Sequence, residues 1–316
     1  MLTFERPGGE PCPGPGVQPP AIETRELTKR YGSARGIEAL TLSVETGEIF
    51  GFLGANGAGK TTLIRTLLDL QRPTAGSARL FGLDSRRDSL AIRARVGNLP
   101  GGFAFDEAVT GRRLMRYLAG LRGMRDLGRA DELARRFNAD LDRPLGHLSR
   151  GNRQKIGLIQ AMFHVPELLI LDEPTSGLDP LVQETFLELA DEERAVGRTV
   201  FLSSHNLAEV QRICDRVAII KEGRLLAVDT VAELTRRAQR EVTITFGDAA
   251  EPQLFESIPG VRDLHVVRPD TLRFLVGGEI DPVLRAAAAH HVVDIAIEPP
   301  DLEDAFLAYY GDEAGA

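Results

Sequence analysis

An α/β fold is predicted for most of this chain: a parallel sheet covered by helices, followed by a small α+β domain. Three observations carry that prediction. The runs "EIFGFL" (48–53), "ELLILDEP" (167–174) and "RTVFLSSH" (198–205) are short and apolar, as buried strands are. Between them lie stretches with leucines at helical spacing, and strands alternating with helices imply parallel neighbours joined by crossovers. After about residue 238 the texture changes to alternating strands around one apolar helix, which is read as a separate, ferredoxin-like unit.

The elements follow in order. Residues 1–20 are crowded with Pro and Gly and are expected to form a disordered extension. Order begins with "AIETRELTKRY" as a strand. "ALTLSVETGEIFGFLG" reads as a strand, a turn at Glu45–Gly47 and a buried strand. "KTTLIRTLLDL" is a helix, and residues 112–140, rich in Arg and Leu, are mostly helical with a break near Gly120–Gly128. "RQKIGLIQAMFHV" is a helix ended before Pro166, and "NLAEVQRIC" another. In the last part, "EVTITFG", "DLHVVR", "TLRFLVGG" and "VVDIAIE" read as strands, "DPVLRAAAAHH" as a helix and "DLEDAFLAYY" as a closing helix.

A chain of 316 residues is more than one ordinary domain needs, so two domains are expected. A formal charge of −8 argues against a broad nucleic-acid surface, and no nucleic-acid partner is expected. No segment approaches the 18 or so apolar residues of a membrane span, and the N-terminus has no secretion signal, so any membrane role is expected to be peripheral. Cys12 lies in the Pro/Gly-rich tail and Cys214 in an apolar-periodic helix, which argues against a disulfide and for a reducing cytoplasm.

The strongest chemical signal is "GANGAGKTT", which fits G-x-x-x-x-G-K-[ST] with Gly54, Gly59, Lys60 and Thr61. A buried strand precedes it and a leucine-periodic helix follows, the context a phosphate loop requires. Backbone N–H groups from Asn56 through Thr62, including Gly57 and Ala58, are placed to turn around phosphate oxygens, helped by the helix dipole. Lys60 neutralises phosphate, and the Thr61 hydroxyl is a ligand for Mg²⁺. Asp172 and Glu173 stand at the C-terminal end of an apolar strand, where a parallel sheet faces its ligand crevice. Asp172 is the candidate metal ligand and Glu173 the candidate general base. By itself, this pair reads as an acidic strand end before a Pro turn. His205 ends "TVFLSSH"; it either contacts a γ-phosphate or caps the next helix. Asp179 in "SGLDP" is a helix cap or a dimer contact. The remaining histidines read as structural or exposed, with His147 flanking a second anion-binding loop, "LSRGNRQK" at 148–155.

Together these motifs, in this order over residues 21–237, resemble the nucleotide-binding subunit of ATP-binding cassette (ABC) transporters. The resemblance implies a P-loop NTPase cassette with a helical subdomain at about 102–165, and a C-terminal accessory domain over 238–316. It also explains the second loop. In this family two cassettes pack head to tail, so Ser149 and Gly151 of the signature loop would contact the ATP held by a second copy. Tyr31 matches the aromatic that stacks on adenine, Ser176–Asp179 the loop that communicates across the dimer, and His205 the switch histidine. ATP and Mg²⁺ are the implied cofactors, and separate transmembrane permease subunits the implied partners, at the cytoplasmic face of the membrane. The family docks its membrane subunit near residues 102–140, where Phe103, Phe105, Leu114 and Leu118 form either that dock or subdomain core. One position departs from the pattern: the family's usual Gln falls at Gly101. Arg150, Asn152 and the ending "DLEDAFLAYYG" resemble the drug- and antibiotic-exporter branch. A ribosome-acting factor usually carries two cassettes and a charged linker, and a cohesin-type ATPase carries a long coiled coil. Neither feature is found here, and Glu173 argues against a nucleotide-binding module without hydrolysis.

Overall fold

The structure, a computed structural model, describes residues 18–32, 34–102, 106–237, 240–298, 302, 303 and 306. Residues 1–17 with Cys12, Phe103, Phe105 and most of the expected closing helix therefore lie outside the described residues. The chain groups into two compact units. One comprises Met1–Phe50, Asn56–Ser203 and Glu222–Arg224; the other comprises Gly51–Ala55, Ser204–Lys221 and Leu225–Ala316.

The first unit opens with β1 (Ile22–Tyr31), β2 (Ala34–Val44) and the start of β3 (Ile49–Leu53). These are followed by α1 (Lys60–Leu67), β4 (Ala75–Leu80), β5 (Leu83–Asp84), α2 (Ser89–Arg95) and β6 (Val96–Leu99). Next come α3 (Gly111–Leu121), α4 (Gly128–Arg136), a 3₁₀ turn at Leu145–His147 and α5 (Arg150–Met162). The unit closes with β7 (Leu168–Asp172), α6 (Pro180–Ala195) and β8 (Thr199–Ser204). An antiparallel sheet runs β2-β1-β4-β5. A parallel sheet places β7 between β6 and β8, with Leu171 opposite Leu99 and Asp172 opposite Ser203. Every residue of β7 and β8 is buried, which is why both read as continuous apolar runs rather than alternating ones. Phe50 and Phe201 stack at 6.0 Å across that core.

The break expected near Gly120–Gly128 separates α3 from α4; Arg112 ties α3 to α4 through Asp131 (2.7 Å) and to the segment after α4 through Asp142 (2.6 Å). Thr110 caps α3 by accepting from the Arg113 N–H. Leu114 is buried in this helical region, so it belongs to the core rather than to an open dock; Leu118 is half-buried.

The second unit contains α7 (Leu207–Ile213), β9 (Arg216–Lys221), β10 (Arg224–Thr230) and α8 (Val231–Arg237). It continues with β11 (Arg240–Phe246), α9 (Gln253–Glu256), β12 (Val261–Arg268), β13 (Thr271–Val276), α10 (Asp281–Ala288) and β14 (Val292–Glu298). The last six elements form a β-α-β-β-α-β unit whose strands are ordered β12-β13-β11-β14, all neighbours antiparallel. Its core is Val242, Ile244, Phe255, Leu272, Phe274 and Val283, with Phe255 and Phe274 rings 5.1 Å apart.

Candidate active site

Between β3 and α1 the backbone is forced into a shape that glycine permits. Gly57 (φ 83°) and Gly59 (φ 112°) are in the left-handed region, and nothing lies within 4 Å of where a Cβ on Gly57 would be. Asn56 and Gly57 are exposed while Ala58 is buried. Lys60 opens α1 and is only 6% exposed; its Nζ is 3.1 Å from Glu173 Oε1. Thr62 follows, with its hydroxyl 3.4 Å from the Tyr31 hydroxyl. Tyr31 itself ends β1, is half-exposed and accepts a hydrogen bond from Gln71 Nε2.

Asp172 ends β7 and is 2% exposed, so its charge needs partners. It has two charge-assisted ones: Thr61 Oγ1 donates to Oδ2 at 2.7 Å, and Ser203 Oγ donates to Oδ1 at 2.6 Å. Glu173 turns abruptly into the left-handed region (φ 53°), with its N–H bonded to Ser203 O (3.2 Å) and Oγ (3.1 Å). The parallel register sets this up, because it places Ser203 directly opposite Asp172. Lys60, Thr61, Asp172 and Glu173, far apart in sequence, thus meet in one cluster. The lone-pair donors around Thr61 and Asp172 are all oxygen, the set a small hard cation such as Mg²⁺ prefers, and Lys60 supplies a buried cation for phosphate. These residues therefore fit both Mg²⁺ and a nucleotide triphosphate. Gly101 lies against the same carboxylate: a Cβ there would stand 2.6 Å from Asp172 Oδ2.

The other expected site residues are placed as follows. Ser149 is the N-cap of α5, its Oγ accepting from the Asn152 N–H at 3.3 Å. Because of that cap the helix begins at Arg150, three residues before the expected start at Arg153. Gly151 packs on Gly177, in the loop after the acidic pair. Asp179 caps α6 through the Val182 N–H (3.0 Å). His205 is exposed, directly before α7. The cap of α7 falls on Asn206, whose side chain accepts from the Glu209 N–H (3.3 Å), and not on His205. His164, expected to be structural or exposed, bonds Val96 O through Nε2 (3.2 Å), and its burial, then Arg122, push its pKa down to about 4. Ser203 escaped the sequence reading, and Gln154, which falls in the loop read at 148–155, was given no role there. Ser203 carried one faint signal, a pair of hydroxyls with Ser204 closing the apolar run "VFL".

The chain is similar to known proteins in sequence and in fold. The family described as ABC transporter matches residues 37–176. A bacitracin transport ATP-binding protein of Bacillus licheniformis is 36% identical over 72% of this chain and 75% of its own length. A daunorubicin resistance ATP-binding protein of Streptomyces coeruleorubidus is 35% identical over 93% and 96%. Among solved structures, an ATP-binding subunit of an ABC transporter superposes with a TM-score of 0.63 at 30% identity, over 68% of this chain and 92% of that one. Among the described residues no helix is long and apolar enough to cross a membrane. With a phosphate loop and an acidic strand end built as above, the chain belongs to the ABC transporter ATP-binding proteins, ATPases that bind ATP with Mg²⁺ and work as dimers beside separate transmembrane subunits.

Proposed function

We propose that this chain hydrolyses ATP to drive export of an antibiotic, drug or other amphiphilic compound through a separate permease, from the cytoplasmic face of the membrane. The relatives named for bacitracin transport and daunorubicin resistance support that direction. Residues 21–237 form the nucleotide-binding domain, with its helical subdomain at about 102–165, and residues 238–316 an accessory domain, in this reading.

The observation that carries the reaction is the joining of Lys60 to Glu173 and of Thr61 to Asp172 in one partly buried cluster. Gly54 to Thr62 surround the phosphates, and Tyr31 stacks on adenine. Thr61 and Asp172 hold Mg²⁺, which supplies neutralising charge for the phosphate oxygens when bound. Glu173 accepts the proton of the attacking water. His205 contacts the γ-phosphate and registers its loss. Ser149 and Gly151 contact the ATP of a second copy packed head to tail, and Asp179 lies in the loop that faces that copy.

Glu173→Gln tests this. It is expected to keep ATP binding, slow hydrolysis by on the order of 10³-fold, and accumulate a dimer on size-exclusion chromatography with ATP. Adding Ser149→Arg is expected to abolish that dimer while each chain still binds nucleotide. Unchanged turnover in Glu173→Gln removes the base from this scheme, and a dimer that persists in the doubly substituted chain removes the shared pocket.

A further inference from the structure

The helix that begins at the Ser149 cap is fastened to the loop after the acidic pair at three points. Gln154 Nε2 donates to the carbonyl oxygens of Glu173 (3.1 Å) and Pro174 (2.9 Å), one N–H to each. Arg150 Nη2 donates to Ser176 Oγ (3.2 Å). Gly151 approaches Gly177 so closely that a Cβ would meet its carbonyl oxygen at 2.5 Å.

The fastening falls where the backbone most needs it. Glu173 has φ 53°, a left-handed conformation that is strained for a residue with a side chain. It also precedes Pro174, and a residue before proline is driven toward extended backbone. Neighbours must therefore hold it. From the strand side Ser203 holds the Glu173 N–H. From the helix side Gln154 holds the Glu173 carbonyl and the next one.

We propose that Gln154 is a positioning residue: by gripping the carbonyls of Glu173 and Pro174 it makes the seating of the signature helix and the aiming of the Glu173 carboxylate a single mechanical event. The idea rests on the reading of Glu173 as the base and of Ser149 and Gly151 as contacts to a second copy's nucleotide. A nucleotide that engages the first turn of α5 then acts, through Gln154 one turn further on, on the strained backbone of this chain's own Glu173. Each pocket thereby reports to the other through one side chain.

Two variants test it. Gln154→Leu keeps the length and removes both N–H donors; Gln154→Glu keeps the shape and turns a carboxylate oxygen toward two carbonyls. The first measurement is hydrogen–deuterium exchange of the nucleotide-free protein at the Ser176 and Leu178 amides, which close onto Glu173 O (3.2 Å) and Thr175 O (3.1 Å). Exchange there is expected to rise about tenfold or more, with β7 unchanged. The second is ATPase kinetics: kcat is expected to fall about ten- to a hundredfold, with KM and the equilibrium affinity for ATP within about twofold. Unchanged exchange at both amides overturns the proposal, as does a loss of ATP affinity equal to the loss of kcat. If the Leu variant fails to fold by circular dichroism, the Glu variant decides. Failure of the base assignment looks different: Glu173→Gln would then turn over normally while the exchange result in the Gln154 variants still stood.

Discussion

Ser203→Ala probes the buried support of Asp172 more directly than any substitution of Asp172 itself. Ser203 is fully buried and Asp172 is 2% exposed, so water cannot replace a lost partner without rearrangement. The substitution deletes the 2.6 Å bond from Ser203 Oγ to Asp172 Oδ1. It also removes one of two acceptors for the Glu173 N–H, which keeps Ser203 O at 3.2 Å. The second loss is therefore small. The first is a hydrogen bond to a charged group whose partner stays behind, worth about 1.5–3 kcal/mol. Thr61 still holds Oδ2 at 2.7 Å, so the carboxylate stays tethered but is free to pivot. Urea denaturation of the full chain followed by circular dichroism is expected to show a loss of about 2 kcal/mol. The Mg²⁺ concentration for half-maximal ATPase activity is expected to rise about tenfold or more, while ATP binding measured in EDTA stays within about twofold. A stability loss under about 0.5 kcal/mol together with an unchanged Mg²⁺ requirement would refute the view that Ser203 orients the metal ligand.

Two further predictions concern neighbouring positions. Gly101→Ala places a methyl 2.6 Å from Asp172 Oδ2, whereas Gly102→Ala meets nothing within 4 Å. The first is expected to raise the Mg²⁺ requirement about tenfold and the second to leave it alone, and equal effects would show that contact with Asp172 is not the cause. His164 is held neutral by burial and then by Arg122, with its pKa lowered to about 4 from the ordinary 6.5. The unfolded chain takes up that proton first, so the contribution is full above about pH 6.5 and is lost as pH falls toward 4. At pH 5 the loss is at most about 2 kcal/mol, and His164→Gln, which keeps a donor for Val96 O, is expected to flatten the urea midpoints between pH 7 and 5.

The phosphate loop, the acidic strand end and the alternation of helices with buried strands are local patterns, and local patterns are what a single sequence displays. The glycines of "GANGAGKTT" are demanded by backbone angles within the loop itself, and the apolar runs of β7 and β8 by burial on both faces. The succession of strands and helices in the last unit follows from the same alternation, while their order in the sheet, β12-β13-β11-β14, is set by pairing. Elements without a strong period were harder to see: "AGSARL" in β4 is held as a strand by pairing with β1. The partnerships inside the site belong to the tertiary structure alone. Ser203 meets Asp172 because two strands 31 positions apart pair in that register. Gln154 reaches Glu173 and Pro174 because α5 crosses the loop they begin. Gly101, read from sequence as a missing side chain, is in the fold the space that the Asp172 carboxylate fills. Which residue types do the chemistry is written in short spacings; which neighbours aim them depends on long-range packing, which no local spacing encodes.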